Sequence, residues 1–224
     1  MKKLLYLFVL ISSMTLWNCT ATTSTKKSSN MTDKEIVKSV QNNEVETVAK
    51  ALQAAANVNA VDSNQRSLLL IATHISSIEM VKLLLNHGAD VNQQALNLDS
   101  AFLYAGATGQ TELVQLYLNH GARFDVFNRY NGTALIPACE RGHVETVRLL
   151  ANTKDFPIDH INRLQWTGLM EAVVLGDGSA KFQQIVQILK DAGADLNIPD
   201  RDGITALQHA KDKGYKEIEQ ILKF

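Results

Sequence analysis

Gly88-Ala89-Asp90-Val91-Asn92 is a short motif that returns at residues 193–197 with a single change, Leu196 in place of valine. Weaker copies begin at residues 55, 121 and 155, so the five copies are separated by 33, 33, 34 and 38 residues. A period of roughly 20 to 50 residues indicates a chain built from repeated structural units. The fold is therefore expected to be a stack of similar units.

A second marker has the same period. Ser or Thr begins a block that has Ala five residues later, and the blocks start at Ser67, Ser100, Thr133, Thr167 and Thr205, again in steps of 33, 33, 34 and 38. Each Ser or Thr is expected to cap the first helix of its repeat, because its side-chain oxygen can accept from free backbone N–H groups.

Apolar residues at helical spacing predict a second helix in each repeat, with one buried face that stacked neighbours share. These residues are Ile78, Val81, Leu84, Leu85, Leu113, Val114, Leu116, Leu118, Val144, Val147, Leu149 and Leu150.

Together the two markers resemble the ankyrin repeat, whose signature combines T-P-L-H-x-A with G-A-D-V-N. The resemblance covers residues 32–224 and implies an all-α solenoid of about six helix-turn-helix repeats joined by β-hairpin-like loops. The predicted repeats are approximately 32–58, 59–91, 92–124, 125–158, 159–196 and 197–224. Repeat three departs from the family pattern, because Ala95 and Leu98 replace the Asp and Gly of its hairpin.

The N-terminus has the pattern of an export signal. Two lysines precede an apolar run at residues 4–11, which is too short to span a bilayer. Residues 1–18 are therefore predicted to be a signal peptide, and the Ser- and Thr-rich residues 19–31 a flexible tether.

The end of this signal can be interpreted in two ways. Cys19, with Leu16 three residues before it, resembles the lipid-attachment motif of bacterial lipoproteins, although Asn18 replaces the usual small residue. The alternative is ordinary cleavage after Ala21. Both predict export. The protein would be lipid-anchored in the periplasm or at the outer membrane in the first case and soluble in the periplasm in the second.

Composition and motifs limit the function classes. The chain has 22 Lys and Arg against 23 Asp and Glu, so it lacks the basic excess of a non-specific nucleic-acid binder. The sequence also lacks the motifs of serine hydrolases, zinc proteases and P-loop enzymes. We therefore expect no cofactor and no metal. The expected protein is a monomer that meets the membrane only through its lipid anchor.

The ankyrin resemblance implies a binding surface on the hairpin tips and the exposed side of the first helices. The candidate residues on these positions are Arg66, His74, Phe127, Arg129, Tyr130, Arg141, Arg163, Leu164 and Trp166. Only repeats four and five combine large aromatic residues with arginine, the residue types enriched in binding hot spots. The alternative for Phe127 and Trp166 is that each packs against the neighbouring hairpin.

The predicted function is a non-catalytic protein-binding module in the cell envelope, acting as an inhibitor or immunity protein or as a scaffold. The alternative is an envelope hydrolase or stress-protection enzyme with its site on the concave face. Titratable residues with perturbed pKa in one deep pocket would favour the enzyme, and a shallow groove lined by aromatic residues would favour the binding module.

Overall fold

The computed structural model describes residues 31–223, so Cys19 and the predicted signal peptide lie outside the described residues. Twelve α-helices and no β-strand are found in this part of the chain, which confirms the all-α fold. The first helices of the six repeats are α1 (Asp33–Gln41), α3 (Leu68–His74), α5 (Ala101–Ala107), α7 (Leu135–Arg141), α9 (Gly168–Val174) and α11 (Ala206–Asp212). The second helices are α2 (Val45–Gln53), α4 (Ile78–Asn86), α6 (Thr111–Asn119), α8 (Val144–Ala151), α10 (Ala180–Asp191) and α12 (Lys216–Lys223).

The helices form two layers. Each first helix packs against the first helices of the adjacent repeats, and the second helices pack against one another in the same way. One continuous apolar core extends from Ile36 in α1 to Leu222 in α12. Since a single pair of short helices cannot bury its apolar face, each repeat depends on its neighbours.

Seven of the twelve predicted stripe residues of the second helices are buried, and the other five are half-buried against the core: Ile78, Leu116, Leu118, Val144 and Leu149. The prediction left out Tyr117 of α6, which is fully buried. Tyr117 lies 33 residues from both Leu84 and Leu150, which are also fully buried. The tyrosine therefore occupies the core position that leucine occupies in the adjacent repeats.

The predicted helix caps are confirmed in four repeats. The side chains of Ser67, Ser100, Thr167 and Thr205 each accept a hydrogen bond from the backbone N–H three residues later, at 3.1 to 3.3 Å.

The cap prediction is wrong for repeat four. Helix α7 begins at Leu135 without a side-chain cap, and the buried Thr133 hydroxyl has no hydrogen-bond partner. In repeat two the N–H of Ile71 donates to the Ser67 carbonyl at 2.9 Å, but the corresponding residue in repeat four is Pro137, which has no N–H. Helix α7 therefore begins two residues after Thr133, whereas α3 begins one residue after Ser67.

A buried or half-buried Asp or Asn organises most hairpin tips. Its side-chain oxygen accepts from the backbone N–H groups two and four residues later at Asp62, Asn128, Asn162 and Asp200. Ala95 cannot do this. In repeat three Gln94 instead donates to the carbonyl oxygens of Leu98 and Phe127, at 2.6 and 2.8 Å.

The extra residues of repeat five lengthen both its second helix and the turn before it. Helix α10 has 12 residues, compared with 9 in α4. The hydroxyl of Tyr215 donates to the Gly176 carbonyl at 3.0 Å, which fixes the longer turn against repeat six. None of the helices among residues 31–223 is long and apolar enough to cross a membrane.

Candidate functional site

The hairpins of repeats four and five are joined to each other at their tips. The backbone N–H of Arg163 donates to the Tyr130 carbonyl at 2.9 Å, and Nε2 of His160 lies 2.6 Å from the Asn131 carbonyl oxygen. The Phe127 ring stacks on His160 with the ring centroids 4.3 Å apart. These contacts hold the two tips in one fixed arrangement.

The joined tips expose apolar and cationic side chains side by side. Tyr130 is 51% exposed and Leu164 is 41% exposed. The guanidinium carbon of Arg129 lies 4.9 Å from the centre of the Tyr130 ring, a cation–π contact. Nη1 of Arg141 donates to the Ala107 carbonyl of repeat three at 2.6 Å. The tip surface is defined as the seven candidate residues of these repeats: Phe127, Arg129, Tyr130, Arg141, Arg163, Leu164 and Trp166.

A concave pocket of about 320 Å³ lies between the first helices and tips of repeats four and five. We call it the central pocket, and it is lined by Asn128, Arg129, Tyr130, Gly132, Ile136, Pro137, Glu140, Arg141, Asn162, Leu164, Glu171 and Leu175. Tyr130, Leu164 and Leu175 are exposed at its rim, whereas Asn162 and Glu171 are buried. Arg129 and Arg141 are exposed as well, so the opening carries both apolar and cationic side chains, and the buried part of the lining holds the two polar groups.

Glu171 is the charged group on the pocket floor, and only 5% of it is exposed. Its Oε1 accepts a hydrogen bond from Nδ2 of Asn162 at 2.8 Å. Burial and, to a smaller extent, the nearby Glu140 carboxylate raise the pKa of Glu171 to about 7, against the opposing effects of the Asn162 hydrogen bond and of Arg141. The carboxyl group is thus close to half-ionised at neutral pH.

A smaller recess of about 210 Å³, lined partly by Asp99, Leu103 and Tyr104, continues the surface toward repeat three. Arg129 and Tyr130 line both this recess and the central pocket. The concave face is therefore one surface across repeats three to five, with the aromatic and arginine side chains at its middle.

Trp166 does not line the central pocket, but it lies next to Leu164 in a neighbouring pocket. It is half-buried against the core and lines a shallow pocket with Leu164 and the acidic residues Asp200 and Asp202 of repeat six. Trp166 and Phe127 therefore both make contacts within the stack, while part of Trp166 remains on the surface.

The structure does not bring Arg66 and His74 together with the central pocket. Arg66 pairs with Asp62, with Nη2 and Oδ2 in contact at 2.6 Å. The His74 ring stacks on Tyr104 with centroids 4.0 Å apart. Both residues line a separate recess with Leu96 on repeats two and three.

Sequence reasoning missed the two floor residues, Asn162 and Glu171. A signal for Glu171 was available in the repeat alignment, because the residue before the marker alanine is Ile71, Tyr104 or Pro137 in the three preceding repeats. A carboxylate at this inward position departs from that pattern. In repeat six the same position is His209, whose Nε2 lies 2.7 Å from Oδ2 of Asp200.

The chemistry available in the central pocket is limited. Its lining contains no serine, cysteine, histidine or lysine, and its acidic groups are Glu140 and Glu171. Within residues 31–223 no group of three or more His, Cys, Asp or Glu is arranged to hold a metal ion. Cys139 is fully buried, and burial raises the pKa of its thiol well above the usual value.

Comparisons with known proteins agree with this architecture. A family model described as Ankyrin repeats (3 copies) matches residues 101–200, and one described as Ankyrin repeat matches residues 64–96. The chain is similar to a solved ankyrin repeat domain from Acinetobacter baumannii AYE, with 43% identity, a TM-score of 0.81 and coverage of 84% of this chain and 95% of that one. The solved ankyrin repeat protein EF0377 is 40% identical, also with a TM-score of 0.81, over 84% of this chain and 96% of that one.

Two further proteins match over shorter stretches. The Escherichia coli (strain K12) ankyrin repeat protein YahD is 42% identical over 94 residues, which are 42% of this chain and 47% of YahD. The human Ankyrin repeat and KH domain-containing protein 1 is 37% identical over 94 residues, which are 40% of this chain and 3% of the human protein. The match spans about half of the first relative and a small part of the second.

Proposed function

Because this chain belongs to the ankyrin-repeat family, we propose that it is a non-catalytic, monomeric binding module that holds a protein partner against the tip surface of repeats four and five. The observation that carries this proposal is the pairing of Tyr130 and Leu164. These two large side chains are about half exposed on adjacent hairpins that the Arg163 to Tyr130 backbone hydrogen bond fixes together.

Physical reasons favour this surface over others on the molecule. Tyrosine, tryptophan and arginine supply most of the binding energy in protein interfaces when they lie near the centre of the contact. A surface that is already rigid loses less conformational entropy on binding. Arg66 and His74 line the separate recess of repeats two and three with Leu96, so the proposed contact with repeats four and five does not include them.

The proposed location is the bacterial cell envelope, with Cys19 as the site of lipid attachment. The support for this is the lysine pair, the apolar run and the Cys19 motif of the N-terminal sequence. In that compartment the module would act as an inhibitor or immunity protein that blocks a harmful enzyme, or as a scaffold.

A photo-cross-linking amino acid in place of Leu164 tests the proposal. In an envelope extract we expect one partner protein to be cross-linked through this position. The matched control places the same amino acid at Leu96, which is 70% exposed. Leu96 lies on the hairpin of repeat three and does not belong to the tip surface of repeats four and five. Identical cross-linked products from both positions, or none from position 164, would contradict the proposal.

One observation favours a second candidate function, hydrolysis by a carboxylate pair. Glu140 and Glu171 line the same pocket, and burial raises the pKa of Glu171 to about 7. Carboxyl groups whose environments separate their pKa values can act as general acid and base. Turnover of chromogenic esters or glycosides by the purified chain, abolished by Glu171→Gln, would favour the enzyme over the binding module.

A further inference from the structure

The central pocket combines a carboxylate on its floor with apolar groups around it and with Arg129, Glu140 and Arg141 in the same lining. Ile136 and Pro137 are buried in its lining, and Tyr130, Leu164 and Leu175 surround its opening. We propose that this pocket receives a basic side chain, lysine or arginine, from the protein partner, with its cationic group against Glu171. This inference rests on the proposed function, because it assigns the chemistry of the residue that the partner inserts.

The floor lacks a cation of its own. Among residues 31–223 Glu171 forms no ion pair, and its hydrogen bond comes from the neutral amide of Asn162. A buried carboxylate without a counter-ion is costly, and a cation within contact distance compensates that cost. A basic side chain is the protein group that supplies this charge.

In repeat six the titratable side chain at the same position has a titratable partner within the chain. His209 corresponds to Glu171 in the repeat alignment, and Asp200 corresponds to Asn162. His209 Nε2 and Asp200 Oδ2 lie 2.7 Å apart, so the ring contacts a carboxylate of its own hairpin. In repeat five the hairpin supplies a neutral amide instead, so in the described part of the chain Glu171 has no cation within ion-pair distance.

The walls and the size of the pocket suit the stem of a basic side chain. Lysine and arginine bury their methylene groups along apolar surface while the charged end reaches a polar group. The Tyr130 ring at the rim offers a face for the same cation on its way in. The volume of about 320 Å³ accommodates one long side chain.

Among residues 31–223 neither arginine of the pocket forms an ion pair with Glu171, although the positive charge of Arg141 acts to lower its pKa. Arg141 is engaged with the Ala107 carbonyl at 2.6 Å, and Arg129 lies over the Tyr130 ring. Their positive charges favour an acidic residue of the partner beside the opening. An anionic occupant of the pocket itself is the main competing outcome.

A titration of the purified full chain with single-residue probes tests the proposal, followed by the backbone amide signals of Gly132 and Leu164 in NMR spectra. The basic probes are Nα-acetyl-arginine methylamide and Nα-acetyl-lysine methylamide. The matched neutral probes carry citrulline and norleucine, which keep the shape of the stems but lack the charge. The glutamate derivative serves as the anionic probe.

We expect saturable shifts at Gly132 and Leu164 with a basic probe, and binding at least about tenfold weaker for its neutral counterpart. Glu171→Gln should weaken binding of the basic probe by a similar factor. Leu164→Lys, at an exposed position, should also weaken it by repulsion and does not depend on the buried site remaining folded. Equal binding of citrulline and arginine, stronger binding of the glutamate probe, no saturable shift with either basic probe, or insensitivity to both substitutions would each overturn the proposal.

This result can be separated from the test of the proposed function. If a partner is cross-linked through position 164 but the basic probes do not bind, the proposed binding module is supported and the inserted basic side chain is refuted. If the basic probes bind specifically but no partner is cross-linked, the cation-binding pocket is supported and the proposed partner surface is refuted.

Discussion

Nδ2 of Asn162 donates a hydrogen bond to Oε1 of Glu171 across 2.8 Å, and both side chains are buried. Asn162 also accepts from the backbone N–H groups of Leu164 and Trp166, so it connects the hairpin tip of repeat five to helix α9. The position of the exposed Leu164 is therefore coupled to a titratable group on the pocket floor.

The first prediction concerns the pH dependence of stability. The folded chain raises the pKa of Glu171 from its usual 4.5 to about 7, so it binds the proton more tightly than the unfolded chain does. This carboxyl imposes no penalty below about pH 4.5, and the free energy of unfolding falls as pH rises toward 7, by about 3 kcal/mol at most. Glu140, Arg141 and Asn162 contribute to the same pKa.

Glu171→Gln removes this titration, so the stability of the variant relative to the original chain should increase from pH 5 to pH 8. Urea unfolding of both proteins at the two pH values gives the difference between their free energies of unfolding. Other titrating groups contribute equally to both proteins, so their effects cancel in this difference. An equal stability difference at pH 5 and pH 8 would show that Glu171 has an ordinary pKa.

A second prediction concerns the buried tyrosine of α6. The Tyr117 and Thr73 hydroxyl oxygens lie 2.7 Å apart, and the Thr73 hydroxyl donates to the Leu69 carbonyl at 2.7 Å, so Tyr117 is the donor to Thr73. Thr73→Val should lower the free energy of unfolding by about 1 to 3 kcal/mol, because it leaves the phenol without a partner.

Tyr117→Phe should then cost less in the Thr73→Val background than in the original chain. Thermal or urea unfolding of the two single variants and the double variant gives the coupling energy. Additive effects of the two substitutions would mean that the hydroxyl pair does not stabilise the core.

The third prediction concerns the tip of repeat three. Leu98 has φ +64, so its backbone adopts the left-handed conformation. Its side chain is 41% exposed and contributes little to the core. Leu98→Gly should raise the free energy of unfolding by about 1 kcal/mol, since glycine adopts this backbone conformation without the steric cost. Leu96→Gly is the matched control, because Leu96 is an exposed neighbour without positive φ and should not be stabilised. Stabilisation of both variants, or of neither, would refute the explanation from backbone strain.

The predicted anchor is tested by Cys19→Ser. If Cys19 carries the lipid, the substitution should abolish metabolic labelling with a fatty acid and move the protein from the membrane fraction to the soluble fraction. Unchanged fractionation together with a mature N-terminus at Thr22 would instead support ordinary cleavage after Ala21.

The repeat architecture could be predicted because two independent markers with the same offsets report the same backbone geometry. The Ser and Thr caps followed from local chemistry and failed only at Thr133, where Pro137 removes the N–H that closes the first turn. Tyr117 escaped prediction because a phenol at a core position needs a partner from another repeat, Thr73, 44 residues away.

The candidate site was less accessible to sequence reasoning. The tips of repeats four and five could be selected from their residue types, but the central pocket depends on how the two repeats pack. Glu171 and Asn162 are nine residues apart in sequence, and only the fold brings the carboxylate into contact with the amide on the pocket floor. The repeat alignment could have marked Glu171 as unusual, although not as part of a pocket.

The central claim, that the tips of repeats four and five bind a protein partner, is tested most directly by the affinity of the cross-linked partner for Tyr130→Ala, measured beside the thermal unfolding of the same variant. Because Tyr130 is 51% exposed, we expect binding weakened by about 2 kcal/mol with the unfolding midpoint nearly unchanged, and unchanged affinity for the control Leu96→Ala. Trp166→Ala should weaken binding as well, with some loss of stability because Trp166 packs partly against the core. Unchanged affinity for folded Tyr130→Ala, or a large loss of its unfolding midpoint with binding intact, would contradict the claim.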